Sequence, residues 1–261
     1  MSKSTVKCIS KHTPLSPSKN RIRRDMLKKT TRQKDIITIS HALLDVLMIR
    51  EHKGRIFCCD IDPAVREAIR YLRNDYVELK VQKAGMTILE TVSEYCKKCE
   101  DPSFDDYNIK NLGVVDIDLA FTVKGCAGIL LDVLNVLKEA GYTGRTFLTF
   151  VNGRRDEFST IEGKSENIQK VKNLIAKLRD LGLNESAIAN SVMKQFPLSG
   201  RIAYLRALLP DDVELVGYVP YYSMHHTKNA QRIRGSSMCV VEFKHSKKLK
   251  RGSDGRFEKA A

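Results

Sequence analysis

The stretch 54–63 constrains the fold more than any other part of this chain. Its residues 56–59, Ile-Phe-Cys-Cys, are apolar without alternation, which predicts a strand buried on both faces of a parallel sheet. Asp60 and Asp62 follow at once, and Pro63 begins a helical pattern, where its missing N–H would be unpaired anyway. Because ligands of open α/β sheets bind outside the carboxyl ends of the strands, Asp60 is placed to accept hydrogen bonds from a ribose diol.

Strand and helix patterns alternate along the rest of the chain. Short apolar or β-branched runs predict five strands, at 35–40, 56–59, 77–81, 113–121 and 145–151. Helical periodicity predicts helices at 42–49, 63–74, 86–99, 128–140, 166–181, 185–195 and 202–208, with Gly141 as a C-cap. Two late strands, 213–222 and 237–244, are predicted on either side of a polar, basic loop at 224–235. This order predicts an α/β fold with a doubly wound, mostly parallel sheet and a late antiparallel strand.

The positive charge of the chain is concentrated at its two ends. Residues 1–34 carry eleven Lys and Arg against one acid, and residues 244–261 carry seven against two. The net charge of +14 therefore lies in the ends, and the part between them is close to neutral. We expect a largely disordered basic arm over 1–34 with a short basic helix over about 20–32, one domain over 35–244 and a flexible basic tail over 245–261. Such ends are typical of proteins that neutralise nucleic-acid phosphates, although a purely solubilising role stays open.

Cysteine usage and hydropathy indicate the compartment. The seven cysteines are an odd number with irregular spacing, and four of them lie in or beside apolar runs: Cys58, Cys59, Cys126 and Cys239. This pattern favours a reduced, intracellular protein, cytoplasmic or nuclear. No run of eighteen apolar residues and no secretory signal is seen, so no membrane partner is expected. The lone pair Cys96 and Cys99 lacks a second pair of ligands, and no metal site is predicted.

At residues 57–63, Phe-Cys-Cys-Asp-Ile-Asp-Pro, the sequence resembles the Rossmann-like S-adenosylmethionine-dependent methyltransferases. Their second strand commonly ends in this pattern, and they add a terminal pair of strands of which one is antiparallel. The resemblance implies S-adenosylmethionine as cofactor, with Asp60 on the ribose and Ile61 beside it. It further implies that Ile39, Ser40 and His41, in the loop after the first strand, face the methionine portion of the cofactor. Gln82 would then lie at the adenine.

Two departures from that family's pattern leave other readings open. The loop at residues 39–42 holds no glycine, whereas the family has a Gly-rich turn that lets the backbone approach the cofactor. After the third predicted strand, Gln82 and Lys83 stand where the family often has an acid. The alternative is therefore a catalytically inactive methyltransferase-like protein that binds nucleic acid or serves as an interaction module. A Rossmann-type enzyme that uses another nucleotide is a third alternative.

Asp116 and Asp118 are the candidate catalytic residues. They lie toward the end of the fourth predicted strand and alternate with the apolar Val115 and Ile117. In the resembled family this strand end carries residues next to the methyl donor, and a carboxylate there can orient or deprotonate a nucleophile. The simpler alternative is that both acids only cap the strand. Neither the Asn/Asp-Pro-Pro-aromatic signature of exocyclic-amino methylation nor the Pro-Cys pair of cytosine-C5 enzymes is present.

Basic residues near the same predicted edge indicate a nucleic-acid interface. The candidate phosphate-binding residues lie in the turn after the fifth strand and in the late loop: Arg154, Arg155, Lys228, Arg232 and Arg234. The sequence thus predicts a methyltransferase that acts on nucleic acid. RNA is preferred over DNA only because no motif of DNA base methylation is present.

Overall fold

The described part of the chain forms one seven-stranded sheet with helices. In the computed structural model it comprises residues 21, 22, 25 and 28 and the ranges 34–39, 54–59, 81–83, 86–151, 165–195, 200–226 and 233–246. The strands are β1 Asp35–Ile39, β2 Ile56–Cys59, β3 Val81–Lys83, β4 Leu112–Thr122, β5 Arg145–Val151, β6 Val213–His226 and β7 Ile233–His245. The sheet order is β3-β2-β1-β4-β5-β7-β6.

Strand direction confirms the predicted fold class. The pairs β2–β3, β1–β2, β1–β4 and β4–β5 are parallel, whereas β7 runs antiparallel to both of its neighbours, β5 and β6. β7 is therefore the only described strand that opposes the other six. The sheet is Rossmann-like, doubly wound and mostly parallel, with the antiparallel strand near its last edge, as the sequence predicted.

The described helices begin and end where local chemistry favours it. They are α1 Ile88–Glu100, α2 Val123–Glu139, α3 Ser165–Asp180, α4 Glu185–Gln195 and α5 Gly200–Leu208. Before α1, the Thr87 hydroxyl accepts a hydrogen bond from the Glu90 N–H, and the Glu90 carboxylate accepts one from the Thr87 N–H, which together make a capping box. After α2, Gly141 adopts a φ of 71°, the left-handed conformation expected of the predicted C-cap. None of the described helices is long and apolar enough to span a membrane.

The two faces of the sheet differ in what covers them. On the helix face, alternate strand residues join α1 to α5 in one large core; they include Ile37, Phe57, Val115, Ile117, Leu148 and Val241. The opposite face, here called the site face, carries a smaller apolar cluster of Ile22, Ile36, Val114, Phe147, Tyr221, Met238 and Val240. Because side chains alternate along a strand, Thr38, Asp116, Asp118 and Thr149 also lie on the site face.

Three elements have the bounds that the sequence predicted, and the third strand does not. The bounds of β2, β5 and α4 match the prediction, whereas the third strand was predicted at 77–81 and includes Val81–Lys83. Gln82 therefore lies in β3 rather than after it. Pairing explains the difference, because Val81, Gln82 and Lys83 continue the ladder with Ile56, Phe57 and Cys58, and an edge strand tolerates polar residues.

The predicted late loop at 224–235 is wrong at both of its ends. β6 continues to His226 and β7 begins at Ile233, with Met224 paired to Gly235 and His225 paired to Arg234. Apolar periodicity ends before these residues, but each strand provides the other with a hydrogen-bonding partner, so the hairpin ladder extends further than the pattern.

A buried ion pair joins the amino ends of β1 and β2 to α1. The guanidinium of Arg55 contacts the Asp35 carboxylate at 2.7 Å, and the Tyr95 hydroxyl donates to the same carboxylate at 2.7 Å. Arg55 also donates to the Asp106 carbonyl at 2.7 Å, and its guanidinium lies 4.2 Å from the centre of the Tyr107 ring. One carboxylate therefore holds two strands, a helix and the loop before β4 together.

We predict that Asp35→Asn lowers the free energy of unfolding by about 3 kcal/mol, because it leaves the half-buried Arg55 charge without its carboxylate partner. Urea denaturation measures the change. Asp105→Asn, in an exposed position of the same loop region, is the matched control and should change stability by less than about 0.5 kcal/mol. Equal effects of the two substitutions would contradict the structural role of Asp35.

A buried histidine lies at the amino end of β5. His245 Nε2 shares a hydrogen bond of 2.9 Å with the Thr146 hydroxyl, and the imidazole packs edge-on against the Tyr142 ring at 4.8 Å between centres. Burial lowers the pKa of His245 to about 4, although the nearby Asp212 carboxylate opposes this shift. The folded protein therefore holds His245 neutral at a pH where the unfolded chain already binds a proton.

This pKa shift makes stability depend on pH with a defined sign. Between the usual histidine pKa of about 6.5 and the folded value, the unfolded state binds more protons, so stability should fall as pH falls. His245 should contribute a loss of about 3 kcal/mol between pH 7 and pH 4. Urea denaturation of wild type and His245→Gln across this range should show a shallower pH dependence in the variant; parallel curves would contradict the assignment.

Candidate functional site

The strand order places the switch point of the sheet, where a ligand crevice is expected, at the carboxyl edge between β1 and β4. From β1 the sheet continues to β2 and β3 on one side, and to β4 and β5 on the other. The chain therefore changes its winding direction between β1 and β4. In open α/β sheets, such a switch point is where the connections on either side separate and leave room for a ligand at the carboxyl ends of the strands.

Asp116 and Thr38 face each other across this switch point. They are paired in the β1–β4 ladder, and the Thr38 hydroxyl donates to an Asp116 carboxylate oxygen at 3.0 Å. Both side chains are buried, with 5% of Asp116 and 3% of Thr38 exposed. An acidic side chain in this position is costly unless hydrogen-bonded, so Thr38 offsets part of that cost and fixes the carboxylate orientation.

Asp118 lies two residues further toward the carboxyl edge, about 7 Å along β4. It is buried and is paired in register with Thr149 of β5, which is also buried. The β4–β5 register becomes irregular directly after this pair, between Asp118 and Thr122. Such irregularities commonly redirect side chains next to functional sites, and Asp118 is the last residue before it.

The strand ends that border the crevice follow one another in space. Across the sheet they are β3 with Gln82, β2 ending at Cys59, β1 ending at Ile39 and β4 with Asp118. From β3 to β4 this edge spans three strand spacings, about 14 Å. The half-buried Ile39 closes the apolar run of β1, and the predicted residues Ser40, His41, Asp60 and Ile61 lie outside the described residues.

Among the predicted phosphate-binding residues, the structure describes only the backbone of Arg234. It lies in β7, paired with His225 of β6, and not in a loop as predicted. Arg154, Arg155, Lys228 and Arg232 lie outside the described residues, so their contribution stays a prediction.

Two site residues were missed by sequence reasoning, namely Thr38 and Thr149. Both are threonines in otherwise apolar strands, and both lie level with a carboxylate of β4. A single threonine in a β-branched run is an ordinary strand residue. Only the register shows that these two hydroxyls border the acids.

The described cysteines do not build a metal site. Cys96 is buried and Cys99 half-buried on α1, and burial raises the pKa of Cys96 to about 12 and of Cys99 to about 11. Cys126 is fully buried, as predicted for a core residue, and burial raises its pKa to about 12. No group of three or more potential metal ligands occurs among the described residues. These thiols are protonated packing groups near neutral pH.

No protein family and no curated protein matches the sequence. Among solved structures, a similar one comes from work on the conversion of a disulfide bond into a thioacetal group during echinomycin biosynthesis. The two chains are 8% identical, the match covers 90% of this chain and 84% of that one, and the TM-score is 0.53. A SAM-dependent methyltransferase from Anabaena variabilis is similar at 12% identity, over 94% and 93% of the chains, with a TM-score of 0.47.

An rRNA methylase from Streptococcus thermophilus is similar at 8% identity, over 86% of this chain and 94% of that one, with a TM-score of 0.41. At such identities the likeness concerns the fold alone. The Rossmann-like fold that the sequence predicted is confirmed by the sheet order itself, and the resemblance to S-adenosylmethionine-dependent methyltransferases stays a prediction.

We predict that Thr38→Val lowers the free energy of unfolding by about 1–3 kcal/mol, because the buried Asp116 carboxylate loses a hydrogen-bond donor while the side-chain volume is kept. Thermal or urea denaturation measures the effect. Thr38→Ser retains the hydroxyl and is the matched control, which should cost less than the valine substitution. The reverse order would show that packing, and not the hydrogen bond, matters at this position.

Proposed function

We propose that the protein is an S-adenosylmethionine-dependent methyltransferase that acts on nucleic acid, with RNA preferred over DNA. The observation that carries this proposal is the pair of buried acids, Asp116 and Asp118, on β4 beside the switch point of a Rossmann-like sheet. Buried acids on a strand that borders a ligand crevice are typical of functional sites.

The cofactor fits the spatial order of the strand ends. Gln82 on β3 would lie at the adenine, Asp60 directly after β2 would accept hydrogen bonds from the ribose hydroxyls, and Ile39 at the end of β1 would lie toward the methionine portion. The edge of about 14 Å from β3 to β4 is long enough for a nucleoside with an amino-acid side arm. When bound, S-adenosylmethionine supplies a methyl group on a positively charged sulfur.

The acids on β4 would act on the methyl acceptor. Asp118 lies nearer the carboxyl edge and would accept a hydrogen bond from an N–H or O–H group of the acceptor, which aims the lone pair of that atom at the methyl carbon. The Asp118 carboxylate, or water, would take up the proton that the acceptor gives up when it is methylated. Asp116, held by Thr38, would position the strand and add negative charge behind Asp118.

The nucleic-acid part of the proposal rests on charge distribution. The two ends of the chain hold most of its net charge of +14, which suits a polyanion better than a small metabolite. Arg154, Arg155, Lys228, Arg232 and Arg234 would add a phosphate-binding rim at the carboxyl edge. The preference for RNA depends only on the absence of motifs for DNA base methylation in the sequence.

A second function is favoured by one feature of the sequence. The loop at residues 39–42 has no glycine, and close approach of backbone to cofactor normally needs one. If this loop excludes the cofactor, the protein is a methyltransferase-like module that binds nucleic acid without catalysis.

We predict that S-adenosylmethionine and S-adenosylhomocysteine bind with micromolar affinity in calorimetric titration, and that Asp60→Ala lowers the affinity at least about tenfold through loss of the hydrogen bonds to the ribose. Asp105→Ala removes an exposed carboxylate at the opposite edge and should bind like wild type. No heat and no thermal shift at millimolar ligand would reject the enzyme and leave the binding module.

A further inference from the structure

The N-terminal basic segment is attached to the sheet through an apolar side chain. Ile22 is helical and only 8% exposed, and it belongs to the apolar cluster of the site face. Its cluster partners come from strands β1, β4, β5, β6 and β7: Ile36, Val114, Phe147, Tyr221, Met238 and Val240. A buried isoleucine contributes about 1.5–3 kcal/mol relative to an exposed one, enough to hold a helix in place.

The cluster that holds Ile22 lies on the same face of the sheet as the candidate catalytic acids. Within the cluster, Phe147 is paired in register with Asp116, and Val240 is paired with Thr149, the partner of Asp118. The helix that carries Ile22 therefore packs on the face of the sheet that also carries both acids.

The other described residues of this helix present charge to solvent. Arg21, Asp25 and Lys28 are exposed and are spaced by four and three residues, which places them on one side of a helix. Asp25 and Lys28 form an exposed ion pair of 3.3 Å. The whole segment 21–34 contains seven Lys and Arg and a single acid, Asp25.

We propose that this helix, anchored by Ile22, is a phosphate-binding surface that guides a nucleic-acid strand to the crevice at Asp116 and Asp118. The inference deepens the proposed function and rests on it for the identity of the substrate. An unattached basic tail would need no buried anchor, and membrane insertion would need apolar side chains facing outward, whereas Ile22 faces the sheet. Net positive charge next to a catalytic crevice suits a polyanionic substrate.

The test measures binding of a fluorescein-labelled single-stranded RNA of about 20 nucleotides to the full chain by anisotropy at several salt concentrations. Arg21→Gln/Lys28→Gln should weaken binding and reduce the slope of log K against log salt by about 1–2, since each lost phosphate contact reduces it by about one. Lys172→Gln/Lys177→Gln removes the same charge from exposed positions of α3 and is the matched control, expected to bind like wild type.

Two further variants separate position from charge. Asp25→Asn should strengthen binding, because it removes the only acid of the segment, a gain that misfolding would not produce. Ile22→Ala keeps the charge and should weaken binding several-fold, because the helix loses its fixed position; a retained cooperative thermal transition shows that the domain is still folded. Poly-glutamate of equal charge should displace the RNA less well than unlabelled RNA does.

Three results would overturn the inference. Equal binding by the Arg21/Lys28 variant and its α3 control would show that the helix makes no phosphate contact. Wild-type affinity in Ile22→Ala would show that the segment acts as an unattached tail. Equal displacement by poly-glutamate would assign the surface to an acidic protein. Calorimetry with S-adenosylmethionine separates the two proposals. If the wild-type protein binds no cofactor but the RNA results are as expected, the methyltransferase proposal is rejected and the phosphate-binding surface is retained.

Discussion

The parallel pairing of β1 with β4 is the interaction on which the rest of the structure depends. It joins a strand near the start of the domain to one almost eighty residues later, with Thr38 and Asp116 hydrogen-bonded across it. The pairing reverses the winding direction of the sheet and so opens the crevice at its carboxyl edge. It also brings a carboxylate into the interior, where it needs a donor and where its orientation becomes fixed. The hydrogen bond between Thr38 and Asp116 therefore belongs both to the strand pairing and to the candidate site.

The amino and carboxyl edges of the sheet carry different groups of polar residues. At the amino edge, Asp35, Arg55 and Tyr95 satisfy one another in a dense cluster with Tyr107, which ties β1 and β2 to α1. Toward the carboxyl edge, the buried carboxylates of Asp116 and Asp118 lie level with the hydroxyl-bearing residues Thr38 and Thr149 of the neighbouring strands.

The described side chains on the two faces of the sheet also differ. The helix face packs against α1 to α5 and carries the buried polar residues Asp35 and Thr146 near its amino edge, whereas the site face has a smaller apolar cluster beside Thr38, Asp116, Asp118 and Thr149. Ile22 inserts into that cluster, so the basic segment, for which the sequence predicted a short helix within a largely disordered arm, carries a buried side chain.

By itself the sequence determined the order of the described elements, the fold class, and the bounds of β2, β5 and α4, because these depend on local periodicity and on buried apolar runs. The helices predicted at 42–49 and 63–74 lie outside the described residues. It also marked Asp116 and Asp118 as acids in a buried strand. Tertiary structure decided the rest: that Gln82 lies within β3, that β6 and β7 extend into the predicted loop, that Thr38 and Thr149 border the acids, and that Ile22 is buried. Each of these depends on a partner distant in sequence, and local periodicity carries no information about which strand will lie alongside.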